Sequence, residues 1–234
     1  MRIIARRAAQ RLYTGYCLVL FTALGLSVLV VNLFLPNLRR RRLVAGVASR
    51  LFLRGAGMPF KVEGLHRLPH VPCVVVANHA SYIDGLVAAA ALPPDFAFVI
   101  KKEMVRVPLA GLLLRRLGSQ FVERFNRHKG GVDARRVLKL AATGQSLVFF
   151  PEGTFDEIRQ VGKFQGGAFA AAARSDMPVV AMAIHGTRAV LPPGGLSVHA
   201  LPIRVEILEV LTASDARQRS RELIARAVGE PLAP

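Results

Sequence analysis

Two short polar clusters carry the side chains best able to do chemistry. The first, Asn78-His79-Ala80-Ser81-Tyr82-Ile83-Asp84-Gly85, holds an imidazole and a carboxylate five residues apart. On a continuous helix that spacing leaves the two off one face. With His79 in a strand-to-helix turn and Asp84 in the first helical turn, the carboxylate can bond the imidazole. Such a pair fixes the tautomer and stabilises the imidazolium formed on proton abstraction. The base would then activate a substrate hydroxyl rather than an enzyme nucleophile. The competing interpretation is a helix cap: Ser81-x-x-Asp84 before an apolar helix resembles a capping box, with Asp84 neutralising the helix N-terminus. Ser81 is better taken as a cap than as a nucleophile, since it lies too close to His79 for a triad.

The second cluster is Pro151-Glu152-Gly153-Thr154. A carboxylate emerging from an apolar strand is either a substrate contact or the partner of a buried arginine. Gly153 permits close backbone approach, and Thr154 can donate a hydrogen bond. Further on, Gly166-Gly167-Ala168 opens a helix whose free N–H groups could face a phosphate, a plain turn being equally compatible. Lys101, Lys102, Arg124 and Arg188 fall at or near predicted strand ends and are the basic candidates for phosphate contact. Arg124 and Arg188 weigh most, because a fork of donors suits that anion. His66, His70, Cys73 and His79 supply metal-ligand types, but Pro69 and Pro72 break any helix that would align them, and the spacing fits no zinc pattern. No metal or other cofactor is expected.

These clusters need a scaffold that holds them rigidly side by side. From Pro59 onward, short apolar runs alternate with helical patterns. Strands are predicted at 71–77, 96–100, 120–123, 146–150, 178–184 and 203–210. Helices are predicted at 85–92, 103–117, 132–142, 166–174 and 215–228. Continuous apolar strands alternating with helices predict an α/β fold, a mostly parallel or mixed sheet covered by helices on both faces. Both clusters then sit at strand carboxyl ends, where such sheets bind ligands.

The chain of 234 residues carries 32 Lys plus Arg against 15 Asp plus Glu, a formal net charge of +17. Its partners are therefore anionic: nucleic acid, anionic lipid or an acidic carrier protein. Nucleic acid explains the charge but neither the scarcity of aromatics nor the nearly unbroken apolar run Leu18–Leu35, which is about the minimum length of a membrane span. Arginines flank that run on both sides: Arg2, Arg6, Arg7 and Arg11 before it, Arg39 to Arg42 after it. The positive-inside rule gives no clean orientation for a single span. Two arrangements fit: a plain spanning anchor, or a segment that dips into one leaflet, bends near Asn32 or Pro36 and leaves both ends in the cytoplasm. Leu43, Val44, Val47, Leu51 and Phe52 recur at helical spacing among arginines, which predicts a second, interfacial helix. Residues 1–58 form the anchoring segment and 59–234 the α/β domain, expected on the cytoplasmic face of the inner membrane. Cys17 and Cys73 are placed as small buried hydrophobes, with no disulfide framework.

The polar clusters, taken in order, resemble the 1-acyl-sn-glycerol-3-phosphate acyltransferases and related glycerolipid acyltransferases. The resemblance covers roughly residues 60–192. Asn78 to Asp84 is similar to the family's N-H-x-S-x-x-D block, Lys101-Lys102-Glu103 to its K-K-E segment, and Gly118 to Arg124 to the block ending in an acceptor-phosphate arginine. Phe150-Pro151-Glu152-Gly153-Thr154 matches F-P-E-G-T, while Lys163 to Phe169 and Met177 to Val180 resemble the last blocks. The resemblance implies His79 as base, Asp84 as its orienting acid, and acceptor binding by Glu152, Gly153, Thr154 and Arg124. It also implies an N-terminal two-helix membrane motif. The implied partners are the lipid bilayer, a lysophospholipid acceptor, and acyl carrier protein or acyl-CoA as thioester co-substrate, with no nucleic acid. Two positions depart from the pattern. Phe155 stands where Arg or a polar residue often follows E-G-T, and Glu123 where Asp is common. Two acceptors therefore stay open: lysophosphatidate, with contacts from Arg124, Lys101 or Arg188, and another lysolipid such as a lyso-aminolipid.

Overall fold

The computed structural model describes residues 2–123 and 127–234, apart from the side chains of 2–4 and 127–134. Seven strands form one sheet: β1 (Phe60–Glu63), β2 (Val74–Ala77), β3 (Ala97–Lys101), β4 (Gln120–Val122), β5 (Leu147–Phe149), β6 (Val179–His185) and β7 (Ile203–Leu211). Their order is β1-β7-β6-β2-β5-β3-β4. All neighbours are parallel except β6 and β7, so β1 and β7 run against the other five.

The central strands have no accessible side: Val74, Val75, Val76 and Ala77 are all fully buried. Burial of each valine stabilises the fold by about 1.5–3 kcal/mol. Alternation along the strands divides the core between two faces. Val75, Ala77, Val148, Phe150, Val180 and Met182 pack under helices α1 (Arg2–Phe34), α2 (Leu38–Gly55) and α3 (Asp84–Ala91). Val74, Val76, Leu147, Phe149, Val179 and Ala181 pack under α5 (Arg127–Ala142), α6 (Gly167–Arg174) and α8 (Ala216–Val228). Two shorter helices, α4 (Ala110–Arg116) and α7 (Thr187–Val190), lie in the connections.

Helix α1 is longer than its apolar run and begins among the N-terminal arginines. It ends before Pro36; Asn37 then caps α2, its side chain accepting from Arg40 N. The bend falls at Pro36 and not at Asn32, which remains helical and fully buried. Helix α2 returns alongside α1, and Tyr13 and Tyr16 of α1 donate hydroxyls to the carbonyls of Ala56 and Gly55 (2.6 and 2.9 Å). Cys17, Phe52, Leu53 and Met58 belong to the same core as the sheet, so packing is continuous across residue 58.

Two elements depart from expectation. The helix predicted at 103–117 is a 3₁₀ turn at Lys102–Arg106 followed by the separate α4. Pro108 lacks the N–H that would continue the helix, and Leu109 takes φ +60°. Strand β1 was not predicted. Its four residues, Phe60-Lys61-Val62-Glu63, alternate with period two but are too few to stand out, and their pairing partner β7 lies far along the chain.

Candidate active site

Strand β2 ends at Ala77, and the chain turns through 78–83 before α3 begins at Asp84. Asn78 anchors the turn. Its amide donates to Ile184 O (3.0 Å) and its side-chain oxygen accepts from Ile184 N (2.8 Å), stitching the end of β2 to β6. Asp84 then folds back over the turn. Its Oδ2 accepts from the N–H groups of Ala80 (2.7 Å) and Ser81 (2.8 Å) and lies 2.8 Å from His79 Nδ1. Asp84 is fully buried. The carboxylate thus closes the turn before α3 and also lies within hydrogen-bond reach of the imidazole, which is the geometry that the pair needs. With Nδ1–H donated to Asp84, Nε2 is left as the basic nitrogen.

Ser81 is fully buried, and its hydroxyl donates to Leu191 O (2.7 Å), pinning the loop after α7. The same loop is held from its far side by α1: Gln10 donates to Val198 O, and Val198 N donates to the Thr14 hydroxyl (3.2 Å). The apolar N-terminal helix and the His79 turn are therefore joined through one loop.

The second cluster meets the first through Glu152. One carboxylate oxygen accepts from His79 N (2.7 Å) and the other from Gly162 N (2.6 Å). Strands β2 and β5 are adjacent, with Val76 level with Phe149, which brings the two strand ends into this reach. Desolvation raises the Glu152 carboxyl above the usual carboxylate range, against the two backbone donors that favour its charge. Gly153 takes φ +84° directly after Glu152 and donates its N–H to Phe150 O, a tight turn open to glycine. Thr154 follows it and is exposed.

Aromatic rings enclose the imidazole. Phe150 stacks on His79 with centroids 4.7 Å apart, and Phe155 meets it edge-on at 4.5 Å. Tyr82 in turn packs edge-on against Phe155 at 4.8 Å and is 66% exposed at the mouth. Phe150 and Tyr82 escaped the sequence reading. The strand alternation through β5 places Phe150 on the His79 face, which was the available signal; nothing in the sequence marked Tyr82.

The basic candidates separate. Lys101 ends β3, exposed, one strand beyond β5 and so two strands from His79. Arg188, in α7, is turned into the fold: Nη1 donates to Asp156 O (2.7 Å), and Nε lies 3.4 Å from Glu230. It braces the loop after Thr154. Arg124 lies outside the described residues. Among the described residues, no three His, Cys, Asp or Glu side chains gather in a metal-holding group. Burial pushes the Cys73 thiol up to about 11.

Residues 59–185, over half of the chain, match the family model described as Acyltransferase. Among curated proteins, the chain is 29% identical over 191 residues to the chloroplastic 1-acyl-sn-glycerol-3-phosphate acyltransferase BAT2 of Brassica napus, covering 77% of this chain and 55% of that one. It is 32% identical over 157 residues to the lyso-ornithine lipid O-acyltransferase of Pseudomonas aeruginosa, covering 65% and 57%. The chain thus spans a little over half the length of these two relatives. Among solved structures, the 1-acyl-sn-glycerophosphate (LPA) acyltransferase PlsC from Thermotoga maritima superposes with a TM-score of 0.79 over 96% of both chains, at 23% identity, and shares the fold. With the family match spanning both polar clusters, from before β2 to the end of β6, this chain belongs to the Acyltransferase family.

Proposed function

We propose that the protein is a membrane-associated O-acyltransferase that moves a fatty acyl group from a thioester to the free hydroxyl of a lysophospholipid. The observation that carries this reading is the His79–Asp84 pair at 2.8 Å, with the carboxylate fully buried and the ring flanked by Phe150 and Phe155. His79 Nε2 takes the proton of the acceptor hydroxyl as its oxygen attacks the thioester carbonyl. Asp84 stabilises the imidazolium through Nδ1–H. The tetrahedral intermediate collapses with cleavage of the C–S bond, and the imidazolium returns its proton to the departing thiolate. Ser81 forms no acyl-enzyme, since its buried hydroxyl is committed to Leu191 O.

The first acceptor proposed is 1-acylglycerol-3-phosphate, giving phosphatidate, in line with the Brassica relative. A lyso-aminolipid is the second. It is favoured by Phe155, an apolar ring beside His79 where a polar residue often follows E-G-T, and by the lyso-ornithine lipid relative. The membrane association rests on α1, where Ala5–Phe34 is long and apolar enough to cross a bilayer and mostly unburied. The proposed site is the inner membrane with the sheet on the cytoplasmic side. Acyl transfer in mixed micelles, with lysophosphatidate and lyso-ornithine lipid offered side by side, identifies the acceptor. Product from neither would refute the reading.

A further inference from the structure

On the sheet face away from α1 and α2, a cavity of ≈ 350 Å³ lies between the chain at 163–164 and α8, lined by Lys163, Phe164, Arg217, Gln218 and Arg221. Three of these five side chains are cations. No carboxylate lines the cavity, and among the described residues none lies within ion-pair distance of Lys163, Arg217 or Arg221. Arg217 and Arg221 are four apart on α8 and so share a face. Both are held by backbone carbonyls: Arg217 Nε donates to Phe164 O (2.8 Å), Arg221 Nε to Gly162 O (2.8 Å), and Arg221 Nη2 to Val161 O (3.0 Å). The charges are thus fixed in place without being neutralised, which suits a bound anion.

The cavity is also wired to the candidate catalytic base. Gly162, whose carbonyl accepts from Arg221, donates its N–H to Glu152, and Glu152 accepts from the backbone of His79. One carboxylate, Glu152, therefore links the backbone beside the cavity to the backbone of His79. This cavity opens beside polar α8, on the other side of the sheet from α1 and α2.

We propose that this cavity binds the phosphate of the pantetheine arm that carries the acyl thioester, a group common to coenzyme A and acyl carrier protein. The inference deepens the acyltransferase reading by assigning the donor its own anchoring point, separate from the acceptor's. Two surface cations meeting one phosphate predict about a tenfold gain in affinity.

The test compares binding of 4′-phosphopantetheine with pantetheine, which lacks only the phosphate, by titration calorimetry on the full chain. It then follows the Michaelis constants of acyl-CoA, acyl carrier protein and the acceptor. The variants are Lys163→Gln and Arg217→Gln, with Lys163→Arg as rescue; Lys163 is exposed, so its substitution leaves the fold intact. The expected result is about tenfold tighter binding of the phosphorylated arm, abolished in both Gln variants and restored in Lys163→Arg. Donor KM should rise for both carriers while acceptor KM stays unchanged. Equal binding of the two arms would overturn the proposal, as would a rise in acceptor KM alone. An effect confined to the carrier protein would assign the cations to its acidic surface, and one confined to acyl-CoA to its nucleotide phosphates; either overturns the pantetheine assignment. Phosphate-dependent binding without any acyl transfer would refute the acyltransferase reading and leave the anion site standing.

Discussion

Glu152 accepts N–H groups from two separated parts of the chain, His79 and Gly162, and holds them on either side of one carboxylate. On the proposed function it positions His79 without touching substrate. Replacing it by Gln turns one acceptor into a donor facing an N–H, leaving a buried donor unpaired at a cost of about 1–3 kcal/mol. Glu152→Gln should therefore lower kcat by roughly 10–100-fold with little change in acceptor KM. The carboxyl's raised pKa adds a pH signature. Folded Glu152 keeps its proton to higher pH than the unfolded chain, so its contribution to stability is present below the usual carboxylate range and is lost as pH rises through the folded value. Thermal unfolding of wild type should show that decline and Glu152→Gln should not; identical pH profiles would contradict the account. The sequence identified Glu152 as a polar group at a strand end and left open whether it binds substrate or closes a buried pair. Its two backbone partners were not legible, because Gly162 carries no side-chain signal and its approach depends on how the chain folds back after Thr154.

At the scale of elements, the turns after the strands do the positioning. Gly186, between β6 and α7, has φ +87°, and a Cβ there would sit 2.2 Å from Pro202 O. A side chain meets both the left-handed strain and a backbone collision. Gly186→Ala should cost about 2–4 kcal/mol and lower Tm by roughly 5–15 °C in a chain of this size. An unchanged melting curve would show that the contact with Pro202 relaxes freely. Most strands were legible because both of their faces are buried, which makes them continuous apolar runs. Helices α3, α6 and α8 were predicted to within a residue of their observed bounds. The failures have local causes: Pro108 split a helix whose apolar spacing ran on through it, and β1 is a short edge strand whose existence depends on a distant partner.

Across the whole molecule, α1 exposes Leu18, Val19, Val30 and Phe34 while burying Cys17 and Val28 against the protein. One flank belongs to the core, and the other presents large apolar side chains at the surface. Loop 191–198 links this helix to the His79 turn through hydrogen bonds to Ser81 and Thr14. Leu18→Glu with Val19→Glu changes only exposed positions and should leave the fold unaltered. The paired change should weaken co-flotation with anionic phosphatidylglycerol vesicles more than tenfold, since each charge costs about 2.5–3.5 kcal/mol at bilayer depth. Undiminished flotation would assign membrane binding to another surface.

The central claim is that the Asp84-oriented imidazole of His79 is the base. The most direct measurement is acyl transfer to lysophosphatidate and lyso-ornithine lipid by purified wild type beside His79→Ala. Secondary structure and vesicle binding would be checked in both. The account predicts product from wild type and none above background from His79→Ala, with fold and membrane binding intact. Wild-type turnover in His79→Ala would contradict it.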